Sequence, residues 1–89
     1  MLRITKTFED QNSVDLRLDG RVDESTVGEL QESVAEHRNG RHKAIVLDFG
    51  GVVFINDAGI ELLRKVKDKR VTIRNCSLFV KTLLGDLID

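Results

Sequence analysis

An α/β domain built on a mixed four-stranded sheet, with about three helices in the order ββαβαβα, is what this sequence predicts. Three observations carry it. Two alternating segments open the chain, a helical apolar period follows, and an unbroken apolar run at residues 44–47 then ends in Asp48-Phe49-Gly50-Gly51. Alternation implies a half-buried antiparallel pair, whereas strand, helix, strand order implies a parallel pairing reached by a right-handed crossover.

The elements follow in order. Leu2, Ile4 and Phe8 lie on one side of the first segment, with Arg3, Thr5 and Thr7 on the other and Lys6 interrupting the apolar side. A polar turn at residues 9–13 leads to Val14, Leu16 and Leu18, which alternate with Asp15, Arg17 and Asp19. Gly20 closes this hairpin. From residue 25 or 26 to about residue 38, Val27, Leu30, Val34 and Ala35 fall on one helical face, and Thr26-x-x-Glu29 has the spacing of a capping box. Asn39-Gly40 stops this helix and delivers the chain to a strand at residues 43–49, whose lack of alternation predicts cover on both faces.

Gly50-Gly51 admits two readings. It can continue the passage toward Val52-Val53-Phe54-Ile55, or it can turn a hairpin that makes those residues the antiparallel partner of the preceding strand. Asn56 or Asp57 then caps a helix at residues 57–69, with Ile60, Leu63 and Val66 at helical spacing and Leu62 alongside. Its basic end complements the helix dipole, and Glu61 with Lys65 has favourable ion-pair spacing. Residues 71–76 read as a fourth strand. Ser77 caps a last helix whose apolar stripe is Phe79, Val80, Leu83, Leu84, Leu87 and Ile88.

With 89 residues the chain reads as one domain over residues 1–89, able to bury roughly 60 to 70% of its unfolded surface. Its 40% hydrophobic and 33% charged content is that of an ordinary globular protein. A net charge of -1 offers no general attraction to nucleic acid or anionic membranes, and four Phe without Trp or Tyr make a poor base-stacking surface. Cys76 is the single cysteine, so neither an intrachain disulfide nor a cysteine cluster for zinc can form. No secretory signal and no apolar run long enough to span a bilayer are visible, so direct membrane insertion is not expected and a cytoplasmic location is.

Nothing in the sequence has the form of a catalytic centre, and neither enzyme activity nor a cofactor is expected. His37 and His42 flank the Asn39-Gly40 turn without a carboxylate or cysteine cluster at metal-ligand spacing and read as surface histidines. Ser25, Ser77 and Cys76 lack a base partner or nucleophile-elbow context. Gly50-Gly51 is not followed by the Gly-Lys-Ser/Thr of a phosphate loop. Arg64, Lys65, Lys67, Lys69, Arg70 and Arg74 form a basic cluster that reads first as a solvated face and second as a docking surface for an acidic protein.

The continuous passage at residues 45–60 resembles the central signature of STAS domains, the fold of bacterial anti-sigma-factor antagonists. The family runs strand, Asp, hydrophobic passage, then Asp-Ser-Ser/Thr-Gly-Leu opening a helix; Asp48 and Gly59 stand at the corresponding spacing. Upstream, Leu16-Arg17-Leu18-Asp19-Gly20-Arg21-Val22-Asp23 is similar to the family's second strand and its turn into the first helix. The resemblance implies a non-catalytic regulatory module in bacterial-type signalling and transcription regulation, binding an anti-sigma factor of the kinase-like ATPase type. It places partner contacts at Asn56, Asp57, Ala58, Gly59 and Glu61. The family's phosphorylated hydroxyl residue corresponds to Ala58, which cannot accept phosphate, and the family's aspartate and serine positions hold Asn56 and Asp57. Either Asp57 then mimics the phosphorylated state, or Ala58 makes the module permanently unphosphorylated and therefore permanently binding-competent. The resemblance also implies an alternative, an accessory subunit of an ABC-type lipid transporter or other membrane transporter, whose partner is a transporter ATPase.

Overall fold

The computed structural model describes residues 1–40 and 44–87. Within them the order is β1 (Leu2–Glu9), β2 (Ser13–Val22), α1 (Val27–Arg38), β3 (Ala44–Ile55), α2 (Asp57–Val66), β4 (Val71–Arg74) and α3 (Leu78–Leu84), ending in a 3-10 turn at Gly85–Leu87. The strands lie in sequence order, with β1 antiparallel to β2 and with β2, β3 and β4 mutually parallel. This is the mixed four-stranded sheet with three helices that the sequence predicts.

Registration explains which residues reach the core. Leu16 pairs with Leu47 and Leu47 with Ile73, so one sheet face carries a continuous apolar row. Val14, Leu18, Ile45, Phe49 and Val71 extend it, and Leu30, Val34, Leu62, Leu63, Val66, Val80 and Leu84 of the helices close over it. The opposite face follows the row Asp15, Val46, Thr72 and the row Arg17, Asp48, Arg74. There Val46, Asp48 and Thr72 are half-buried, and Arg17 and Arg74 are exposed. The expected cover on both faces of β3 is therefore absent: β3 is central, but only one face of the sheet is packed. An apolar Val46 on the open face is what hid the alternation.

The glycine pair turns no hairpin. β3 runs straight through Gly50 and Gly51 and stays parallel to β2, accommodating an extra residue where Arg17 and Asp19 oppose Asp48 and Gly51 and another before Phe54. Gly51 is dictated by close approach, since a Cβ there would lie 1.8 Å from Asp19 Oδ1 and 2.9 Å from the Leu18 carbonyl oxygen. Gly50 N–H donates to Asp48 Oδ1 at 2.8 Å, which settles the bulge.

Several boundaries move for identifiable reasons. Thr26 precedes α1 but forms no side-chain cap to it. Its hydroxyl instead donates to the Arg21 carbonyl at 2.9 Å and accepts from Asp23 N–H at 2.9 Å, so the expected capping box gives way to a staple of the β2–α1 turn. Ala35, expected on the core face of α1, is exposed. α2 ends at Val66 rather than residue 69, because Arg38 Nη2 donates to the Val66 carbonyl while Arg38 pairs with Asp68 at 3.2 Å. Asp68 Oδ1 then accepts from Arg70 N–H at 2.8 Å and turns the chain into β4. Glu61 and Lys65 close no ion pair among the described residues. β4 ends at Arg74, where Asn75 takes a positive φ of 62°. Ser77 caps α3 as expected, accepting from Val80 N–H at 3.2 Å. The short helix buries only Val80 and Leu84, with Leu87 packed alongside, and leaves Leu78, Phe79 and Leu83 exposed. His42 and Ile88 lie outside the described residues.

Candidate functional site

The site is assembled where the ends of β2 and β3 meet the starts of α1 and α2. β3 finishes at Ile55, buried under the sheet, and the next residue must turn the chain by exchanging ladder bonds for helix bonds. Asn56 does this with all its polar atoms. Its backbone N–H donates to the Val22 carbonyl at 3.2 Å, and its carbonyl accepts from Ile60 N–H at 3.0 Å. Its Oδ1 accepts from Ala58 N–H at 3.1 Å and Gly59 N–H at 3.3 Å, which satisfies two of the donors that a helix start leaves unpaired.

The amide nitrogen supplies the remaining link. Asn56 Nδ2 donates to Glu24 Oε2 at 2.6 Å, fastening α2 to the β2–α1 turn. An aspartate at this position would cap equally well but would set two carboxylates in contact, so the side chain that both accepts from the helix and donates to Glu24 is asparagine. Glu24's carboxyl is held below its ordinary range, first by its own backbone N–H and then by Asn56. Asp23 is held low as well, chiefly by the Ser25 hydroxyl, which donates to Oδ1 at 2.7 Å.

The turn is anchored from below. Arg21 lies with its guanidinium 4.1 Å from the Phe54 ring centroid and its Nε 3.5 Å from Asp23 Oδ2. Thr26, 3% exposed, ties the same turn to the Arg21 carbonyl. Gly59 lets α2 come down onto the end of β2: a Cβ there would meet Ile55 Cγ1 at 2.7 Å, Val22 Cγ1 at 2.8 Å and the Val22 carbonyl oxygen at 2.8 Å.

The five residues singled out in the sequence therefore divide. Asp57 and Glu61 are exposed on the first turns of α2, Asn56 and Ala58 are half-buried, and Gly59 is buried. Gly59 serves the fold at this joint rather than presenting a surface. Sequence reading did not find Glu24 or the Asp23–Ser25 clasp, because Glu24 meets Asn56 across 32 positions of chain. The only local signal was the run of Asp, Glu, Ser and Thr at residues 23–26.

Chemically, the joint offers acids and a helix start. Asp23, Glu24, Asp57 and Glu61 gather negative charge at the end of α2 where the dipole is positive. No group of three or more metal-ligating side chains exists among the described residues. No described helix is long and apolar enough to cross a membrane.

Comparison with known proteins agrees with this geometry. A family model described as "Mlab, STAS domain" matches residues 6–85. Among solved structures, an anti-sigma factor antagonist from Mycobacterium paratuberculosis aligns with a TM-score of 0.74 at 18% identity, covering 98% of this chain and 80% of that one. The anti-sigma factor antagonist SpoIIAA in its unphosphorylated form aligns at a TM-score of 0.68 and 18% identity, covering 91% and 80%. The Bacillus cell fate determinant SpoIIAA in its phosphorylated form gives 0.69 at 18% identity, with 98% and 89% covered. None of the curated proteins matches this chain by sequence. The order ββαβαβα, the sheet and the match over residues 6–85 together establish that the chain belongs to the STAS domain family.

Proposed function

We propose that this protein is a non-catalytic, protein-binding regulatory module whose partner docks on the start of α2 and the adjoining β2–α1 turn. The observation that carries this reading is the joint itself. Two loops are fastened by Asn56 and Glu24, and the result is a fixed helix start with Asp57 and Glu61 turned outward and Ala58 half-exposed between them. A surface held in place before binding loses little entropy on docking. Its acids suit a partner face rich in Lys or Arg.

The partner is an anti-sigma factor of the kinase-like ATPase type, by likeness to the anti-sigma factor antagonists that share the fold. In such a pair a phosphate at the start of α2 expels the partner through charge and desolvation. Ala58 offers no hydroxyl, so this chain binds without that switch, in a cytoplasmic setting where its abundance sets the response. A second reading is favoured by the same Ala58. A partner that is never released is what an accessory subunit needs, so a transporter ATPase is the alternative.

The test is a tagged pull-down from native extract with wild type and Ala58→Ser, followed by mass spectrometry of partners and of phosphate. Capture of an anti-sigma kinase, with Ala58→Ser acquiring phosphate and letting go, supports the antagonist. Capture of a transporter ATPase by both forms supports the accessory subunit. Partner-dependent phosphate on wild-type Ser25, Thr26, Ser77 or Thr82 overturns the unswitched reading.

A further inference from the structure

The sheet has two edges, and they are unequal. β4 spans only Val71–Arg74, whereas β1 runs over Leu2–Glu9 and is hydrogen-bonded on one side alone, to β2. Arg21 N–H donates to the Met1 carbonyl at 3.1 Å, which fixes the phase of that ladder. In an antiparallel pair, residues whose backbone groups bond across the strands alternate with residues whose groups point away. Met1 stands opposite Arg21 in the same register that pairs Arg3 with Asp19 and Thr5 with Arg17. Arg3 and Thr5 therefore turn their backbone groups to β2, and Leu2, Ile4 and Lys6 turn theirs outward. Among the described residues nothing bonds to these outward N–H and C=O groups. Such a row is matched in direction and spacing by another strand.

The side chains say which strand. On the core side of β1 stand Leu2, buried, Ile4, half-buried, and Lys6, exposed; on the open side stand Arg3 and Thr5, both exposed. When two copies of β1 meet antiparallel about a two-fold axis at Ile4, Ile4 faces Ile4, Leu2 faces Lys6 and Arg3 faces Thr5. Every outward backbone group over residues 2–6 is then paired, no like charges are opposed, and the Lys6 stem lies along Leu2. Slid one way, the strands set Arg3 against Arg3. Slid the other way, they leave Leu2 and its outward groups unpaired. The bulge between Lys6 and Phe8 bounds the same register, because it breaks the strand just past the last pair. Lys6, of the type that guards many edges, is already paired with Glu9 at 2.7 Å.

We infer that β1 is a self-association edge, at which a second copy of this chain pairs antiparallel through residues 2–6 about Ile4 and joins the two four-stranded sheets into one. The contact is isologous, so each copy supplies the same residues to the other. It is only a strand long, which makes the pairing reversible and dependent on concentration. It uses none of the residues of the proposed docking surface.

Sedimentation equilibrium of the purified full chain, up to about 1 mM, measures the dissociation constant. Amide hydrogen exchange read residue by residue at low and high concentration locates the contact. The chain should dimerise, and the amides of Leu2, Ile4 and Lys6 should gain protection as concentration rises. Arg3 and Thr5, bonded to β2 in either state, should not change. Thr5 is exposed, so its variants keep the fold, which circular dichroism checks. Thr5→Lys sets a cation against Arg3 of the second copy, twice by symmetry, and should weaken the dimer about fivefold. Thr5→Glu sets an acid there and should tighten it by about the same factor. A chain that stays monomeric, protection that grows over residues 57–61 or Leu78–Leu84 instead of β1, or a dissociation constant indifferent to both variants would each overturn the inference. The measurement uses the chain alone, so capture or loss of the partner has no bearing on it.

Discussion

Replacing Asn56 by alanine removes the acceptor for Ala58 N–H at 3.1 Å and Gly59 N–H at 3.3 Å together with the donor to Glu24 Oε2 at 2.6 Å. Loss of an Asn cap costs about 1 kcal/mol, within a range of roughly 0.5 to 2. Glu24 is exposed, so its lost bond is screened by solvent and adds little to that figure. For a chain of 89 residues, about 1 kcal/mol lowers the melting temperature by roughly 4 to 8 °C. Asn56→Ser keeps a capping oxygen and should melt near wild type. Asn56→Asp also keeps the cap and gains from the helix dipole, but it faces Glu24. It should melt below Asn56→Ser at neutral pH and low salt and recover as salt screens the two carboxylates. Thermal unfolding by circular dichroism across the three variants separates the contributions. Equal melting of Asn56→Ala and wild type would refute the cap, and Asn56→Asp above wild type at low salt would refute the Glu24 contact.

Other consequences follow from the same geometry. Gly59→Ala gains about 1 kcal/mol in helix propensity, but its Cβ collides with the immovable Val22 carbonyl oxygen at 2.8 Å. Overpacking of roughly 1 to 3 kcal/mol outweighs the gain, and the variant should unfold at lower urea. Arg38→Ala leaves the Val66 carbonyl without its side-chain donor and removes the pair with Asp68, which keeps its bond from Arg70 N–H; with that pair partly screened by solvent the cost should be about 1.5 kcal/mol, read from the same denaturation curves. Because Asp23's carboxyl lies lower in the folded state than unfolded, its contribution is present above the ordinary carboxylate range and is lost as pH falls through the folded value. Ser25→Ala removes the first cause of that shift. The melting gap between it and wild type should therefore be widest above the ordinary carboxylate range and shrink as pH falls below it. A gap that widens on acidification contradicts the clasp.

What the sequence made legible was local. Asn56 and Ser77 are caps because each side chain bonds to backbone two or three residues on, a relation that short-range pattern carries. Alternation in β2 and the helical period of α2 are equally local, and the fold class follows from their order. The misreadings arose where a distant residue decides. Gly50-Gly51 stays ambiguous until Asp19 is known to pack against Gly51. Thr26 has the spacing of a capping box, but the Arg21 carbonyl and Asp23 N–H compete for its hydroxyl and win. α2 stops early because Arg38, from another helix, takes the Val66 carbonyl. At the candidate site, the cap at Asn56 was legible from the chain alone, whereas its link to Glu24 required the sheet to bring β2 beside β3.

The central claim, that the start of α2 is a partner-binding surface, is tested most directly by the affinity of the captured partner for wild type and for Asp57→Lys. Asp57 is exposed at the first position of α2, so the substitution reverses the charge facing the partner without disturbing the core. Asp57→Lys should bind at least tenfold more weakly while melting within a few degrees of wild type. The account is contradicted if Asp57→Lys binds as tightly as wild type, or if wild type captures no partner.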